Sequence, residues 1–177
     1  MKTILTKLID VVLRIFYKDF DLSNEDYPKK TLLIYGIRQK IFGHNRHVSW
    51  PVHPSSVIKS PEKINRGSKA PGFARNCYLD GRNGIIFESN VWIAQGVTII
   101  SQNHHSLNYS VYEKKEPVII RKNSLLGANC IILPGVELGE HTIVGAGAVV
   151  TKSFPEGNQV LAGNPAHMIS KLENYQI

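Results

Sequence analysis

The sequence predicts an all-β solenoid, a stack of short strands wound into a prism, behind a helical N-terminal segment. Three observations carry this. An aliphatic residue recurs every six positions through the second half, the same period extends upstream, and apolar residues before position 43 recur instead at helical spacing. The 177 residues suffice for one domain of ordinary size. The expected organisation is a helical segment over 1–46, then the solenoid over 47–177, with a short helix closing the C-terminus.

At the N-terminus, Ile4, Leu5, Leu8, Ile9, Val12, Leu13, Ile15 and Phe16 fall at helical spacing. Lys7, Asp10, Arg14 and Lys18 interrupt the stretch, so it cannot supply the ~20 apolar residues of a bilayer span. It also lacks the clean apolar core and small-residue cleavage site of a signal peptide. Two readings stay open: an amphipathic helix docked on its own protein or a sister subunit, or a peripheral helix on a membrane surface. A second helical pattern runs through Leu32, Leu33, Ile34, Ile37, Ile41 and Phe42 to Gly43, after a polar connector over 21–30.

From position 120 the openers are Ile120, Leu126, Ile132, Leu138, Val144 and Val150. Four residues after each of the first five comes a small or β-branched side chain: Ser124, Cys130, Val136, Thr142, Ala148. Gly127, Gly139 and Gly145 follow their openers directly. Upstream, Phe87, Ile93 and Ile99 keep the period, whereas residues 52–80 show only a blurred version of it. A period of six matches neither a helix nor an uninterrupted strand. Short strands joined by tight turns satisfy it if each block is one side of a prism and three blocks, about 18 residues, complete a coil. Glycine tolerates the positive φ that some corners need.

Between Ile99 and Ile120 lie 21 positions, three more than one coil, and residues 101–117 are polar and lose the period. A loop is therefore predicted to leave the prism here, where functional groups tend to gather. His104 and His105 stand at its root.

The repeat, the stretch Asn90-Val-Trp-Ile-Ala-Gln-Gly-Val-Thr-Ile-Ile, and the ending Gly145-Ala-Gly-Ala-Val-Val-Thr-Lys with Ala162-Gly-Asn-Pro-Ala together resemble the hexapeptide-repeat acyltransferases. The likeness spans residues 50–170. It is strongest to the maltose, galactoside and nodulation O-acetyltransferases and their polysaccharide-biosynthesis relatives. This resemblance implies a left-handed parallel β-helix, a homotrimer, acetyl-CoA as co-substrate, no metal, and transfer to a hydroxyl of a sugar or glycan precursor. It also implies a histidine general base in the loop. An imidazole titrating near neutrality can take the hydroxyl proton and return it to the departing thiolate.

An ungapped count from Val97-Thr-Ile-Ile puts that histidine at His104. Alignment of His105-Ser-Leu-Asn on the family's His-Pro-Leu-Asp string selects His105 instead, and the ungapped count favours His104. By the same resemblance Asn76 and Asp80 match a segment lining the acceptor pocket. The spacing there differs by one residue, and Gly81-Arg-Asn-Gly84 reads as an added turn; both residues also suit plain turn capping. The resemblance also implies that Ala128, Gly145, Ala146 and Gly147 stand at the small positions of a coenzyme groove. Thr151-Lys152 matches a family Thr-Lys pair, and a lysine can meet nucleotide phosphates as a point charge. His167 stands where the family carries Lys or Arg, with Lys171 as a substitute.

The formal charge of +7 is uneven: +4 over residues 1–46, +3 over 47–117 and zero over 118–177. No dense basic run marks a nucleic-acid arm. The positive front suits an anionic small molecule or glycan, or an acidic membrane surface. Cys77 and Cys130 cannot build a disulfide framework and read as buried thiols of a cytoplasmic protein, membrane-associated or not. A three-histidine metal site would need a third ligand beside His105 and His141 that the later coils do not offer. An amine or antibiotic acetyltransferase and a non-catalytic trimeric scaffold are the alternatives.

Overall fold

The computed structural model describes residues 2–176, with side chains from residue 6 onward. Helix α1 (Lys2–Phe16) packs on α2 (Lys29–Gly36), which a single π-helical turn extends over Ile37–Ile41. Helices of 15 and 8 residues are marginal alone. Packing holds them: Leu13, Tyr17 and Leu32 are buried, and a chain of edge-on rings runs Phe20–Tyr27–Phe73 into the first coil. Buried Gln39 accepts from the Tyr17 hydroxyl and donates through Nε2 to the Val48 and Trp50 carbonyls at 2.9 and 3.0 Å. The segment is thus docked on its own protein through one side of α1.

The rest of the chain is a three-sided coil. The first face stacks β1 (Val57–Lys59), β3 (Tyr78–Asp80), β6 (Thr98–Ile100), β11 (Ile131–Ile132) and β14 (Val149–Val150). The second stacks β2 (Ile64–Asn65), β4 (Ile85–Phe87), β9 (Val118–Ile120) and β12 (Glu137–Leu138). The third stacks β5 (Trp92–Ile93), β10 (Leu125–Leu126), β13 (Thr142–Val144) and β15 (Gln159–Gly163). All these pairings are parallel. Ile120 pairs with Leu138, Leu126 with Val144 and Ile132 with Val150, each 18 positions on. The blurred early period has its counterpart in longer coils, since Ile58 pairs with Leu79, 21 positions on.

Every opener from Ile120 to Val150 is buried, and so is the residue four places after each opener from Ile120 to Val144. The glycines divide into two kinds. Positive φ falls three residues after the opener, at Asn90, Gly96, Asn123, Asn129, Gly135, His141 and Gly147, so Asn shares the corner role with Gly. The glycines directly after openers serve close approach instead. A Cβ on Gly127 would lie 2.5 Å from the Val144 carbonyl oxygen, and one on Gly139 2.3 Å from that of Pro155.

Two expectations are corrected. Ile99 lies on the first face and Ile120 on the second, so one corner, not a full coil, separates them. Ile99 pairs with Ile132, 33 positions on. Against the 18-residue coil the excursion is therefore 15 residues rather than three. It carries the antiparallel pair β7 (His104–His105) and β8 (Asn108–Tyr112). The expected C-terminal helix is instead β16 (Ala166–Lys171), folded back antiparallel on β15. Gly163 turns the chain at φ +97, and the otherwise open edge of the last coil takes the returning strand. No helix among the described residues is long and apolar enough to cross a membrane.

Candidate active site

The hairpin leaves the prism at the corner after the first face, and the added turn over 81–84 clamps its root. The Asn83 backbone N–H donates to Ser101 Oγ at 2.8 Å, and Asn83 Nδ2 donates to the carbonyls of Ser101 (3.1 Å) and Glu113 (2.9 Å). One side chain thus ties both ends of the excursion. The sequence reading missed Asn83; its signal was a lone amide between a basic residue and a glycine in a turn outside the period.

His104 is exposed on β7, its ring 4.6 Å from that of Tyr112 on β8 at an interplanar angle of 38°. Its Nδ1 hydrogen-bonds the Tyr109 carbonyl. A carbonyl only accepts, so Nδ1 carries the proton and Nε2 presents a lone pair. His105 is arranged oppositely, its Nδ1 accepting from the Leu107 N–H at 3.2 Å, which leaves the proton on Nε2. Of the two histidines, only His104 is thus held in a tautomer whose outer nitrogen can take a proton.

Asp80 ends β3 and is 1% exposed, with both oxygens on Arg82: Oδ2 to Nη2 at 2.6 Å and Oδ1 to Nε at 2.9 Å. Burial works against the carboxylate charge. The Arg82 hydrogen bonds and the Arg82 and Lys59 charges outweigh it and hold the pKa below the usual carboxylate value. The Arg82 guanidinium in turn lies 5.0 Å from the Tyr112 ring. Asp80 therefore reaches His104 through Arg82 and Tyr112 rather than by direct contact.

The other expected site residues fall on the two edges of the first face. Asn76, exposed at φ 57, precedes it in register with Gly96, Asn129 and Gly147. Ala128 joins this edge, its carbonyl accepting from the Gly147 N–H at 2.8 Å, beside Gly145 and exposed Ala146. His167 on β16 comes to the same edge, pairing with Ala162 and lying over Gly163. Thr151 and Lys152 stand exposed at the opposite edge, after β14, two strands from the hairpin root on β6, or about 10 Å. Lys171 pairs with Gln159 at the far end of β16, so it does not replace His167 in place.

Cys77 and Cys130 are buried and free in one column with Val97 between them, about 10 Å apart and beyond disulfide reach. Burial pushes the Cys130 thiol up to about 12. His141 holds a corner at φ 50, bonded to Asn158 Oδ1 at 3.0 Å and packed on Tyr175. No group of three or more His, Cys, Asp or Glu able to hold a metal occurs among the described residues.

Residues 117–152 match the family described as bacterial transferase hexapeptide (six repeats). A Schizosaccharomyces pombe protein named "putative acetyltransferase" is 38% identical over 93 residues, covering 51% of this chain and 44% of its own length. A Staphylococcus aureus protein with the same designation is 39% identical over 74 residues, covering 40% and 37%. The matched stretch thus spans less than half of either relative. Among solved structures, a maltose O-acetyltransferase from Clostridium difficile is 26% identical, with TM-score 0.51 over 95% of this chain and 86% of that one. The N-acyltransferase AntD from Bacillus cereus, complexed with dTDP-4-amino-4,6-dideoxyglucose and coenzyme A, shares the fold at 20% identity. Its TM-score is 0.57, over 70% of this chain and 81% of that one. Over residues 117–152 the repeat matches the hexapeptide-transferase model, and in its three-sided coil of parallel strands the chain is similar to acyltransferases built on that repeat.

Proposed function

We propose that the chain is an acetyl-CoA-dependent O-acetyltransferase acting on a hydroxyl of a sugar or glycan precursor, working in the cytoplasm as a homotrimer. The observation that carries this reading is the His104 tautomer, with Nδ1 committed to the Tyr109 carbonyl and Nε2 free to act as a base. His104 accepts the hydroxyl proton as the acceptor oxygen bonds to the thioester carbonyl carbon. The carbon–sulfur bond then breaks, and His104 returns the proton to the departing thiolate. Tyr112 and the Asp80–Arg82 pair hold the imidazole in place. The half-buried Ala128 and Gly145 and the exposed Ala146 and Gly147 let the pantetheine arm lie close to the backbone, His167 meets the coenzyme at the same edge, and Thr151 and Lys152 reach it from the opposite edge of the face. In this reading the exposed Asn76 side chain binds an acceptor hydroxyl. Neither buried cysteine serves as an acyl carrier.

A thiol-release assay with acetyl-CoA, run across free sugars, nucleotide sugars, lipid-linked glycans and amines, tests the reading. Release with a hydroxyl acceptor, lost in His104→Ala, supports it. Release with amines alone, or with no acceptor despite acetyl-CoA binding, overturns it.

A further inference from the structure

Helix α1 carries two apolar sides, and the core uses only one. Leu13 is fully buried, whereas Leu8, Val11 and Ile15 are 59%, 56% and 74% exposed. At about 100° per residue these three lie within roughly 60° of one another, on the side turned away from Leu13. Lys7 and Arg14 fall along one flank of this stripe. The helix's one acidic residue, Asp10, faces α2 and pairs with Lys29 at 2.6 Å. A second exposed apolar set follows on the packed neighbour: Ile34, Ile41 and Phe42, with exposed Arg38 among them. It lies in a stretch, residues 27–61, that holds six Lys or Arg and no Asp or Glu.

We propose that the N-terminal helices dock this protein on the surface of an anionic lipid bilayer. A stripe of large aliphatic side chains edged by cations fits the boundary between acyl chains and acidic headgroups. The charge favours this occupant over a second copy of the chain. Two copies meeting through residues 34–42 would bring cations together, with no carboxylate in that stretch to offset them. The helices are too short and too interrupted to span, so the attachment is peripheral. The inference is independent of the acetyltransferase reading, since it concerns binding and not turnover.

The test is co-sedimentation of the full chain with vesicles of phosphatidylcholine alone and of phosphatidylcholine with phosphatidylglycerol. The protein should pellet with the anionic vesicles, weakly or not at all with the neutral ones, and be released by salt. Leu8→Ser/Val11→Ser/Ile15→Ser should stay in the supernatant. Lys7→Gln/Arg14→Gln should weaken binding about fivefold for each cation removed. Circular dichroism and sedimentation velocity on each variant report fold and assembly. Failure of the unaltered chain to bind anionic vesicles overturns the proposal, as does undiminished binding by the triple serine variant. A fall in oligomeric mass in that variant also overturns it, by assigning the stripe to a second copy.

Discussion

The ring of Tyr112 is shared: the His104 imidazole lies 4.6 Å from it and the Arg82 guanidinium 5.0 Å. A side chain on the second strand of the hairpin thus connects the candidate base to a charge pair in the prism wall. Tyr112→Ala should free the imidazole to rotate and lower turnover by about tenfold with little change in the apparent acetyl-CoA affinity, whereas Tyr112→Phe keeps the ring and most of the rate. Steady-state thiol release on the two variants separates wall from hydroxyl.

The two histidines should separate cleanly. His104→Ala is expected to cut turnover about 10²–10⁴-fold while leaving coenzyme affinity nearly intact, and His105→Ala to stay near normal. Calorimetric titration of coenzyme A alongside the rate assay reads both quantities. The reverse pattern would move the base to His105.

Asp80 should show itself through stability and pH. Its folded pKa is depressed, so its contribution is present above the unfolded carboxylate value of about 3.9 and lost as pH falls through the lower folded value. Asp80→Asn should cost about 3 kcal/mol near neutral pH, because it removes one partner of a pair whose acid is buried. The gap from the unaltered protein should close as acid protonates the carboxylate. Denaturant unfolding across an acidic pH series measures it.

The two kinds of glycine predict different penalties. Gly139→Ala places a Cβ 2.3 Å from the Pro155 oxygen and 2.4 Å from the Gly157 nitrogen, backbone atoms that cannot rotate aside. A loss of about 3 kcal/mol is expected. Gly147→Ala meets nothing within 4 Å and bears only the strain of its φ of +70, about 1 kcal/mol. Thermal unfolding of the pair ranks them.

Native Cys130 should resist a thiol-specific reagent at mildly alkaline pH and react promptly once the protein is unfolded, because burial leaves almost no thiolate at a pKa of about 12.

The coil was legible because its period is written in residues that have no other use. Six openers in a row are buried, and the residue four after each of the first five fits against them because it is small or β-branched. A period gives coils but no hand, which came from the resemblance alone. The loop was visible as a lapse in the period. Its length was misjudged because a spacing of 21 does not say which faces Ile99 and Ile120 occupy. The His104–Tyr112–Arg82–Asp80 chain was illegible, since it joins a turn, a strand end and a hairpin whose pairing no local pattern encodes. His104 and Asp80 were found separately; Arg82 and Tyr112 supply the link. The C-terminal strand was missed because Ala166–Lys171 has neither repeat nor helical signal, and its conformation is set by the edge it covers.

A stack of parallel coils has no length of its own, since each new coil presents the same edge as the last. On the third face β16 ends the series by running the other way, so a further coil would find no parallel strand to copy there. The helices at the opposite end play the matching part over the first coil. Growth of this protein by duplication is therefore confined to whole coils inserted between these two ends. The hairpin, which leaves and rejoins at one corner, can change in length or sequence without shifting the register of a single strand above or below it.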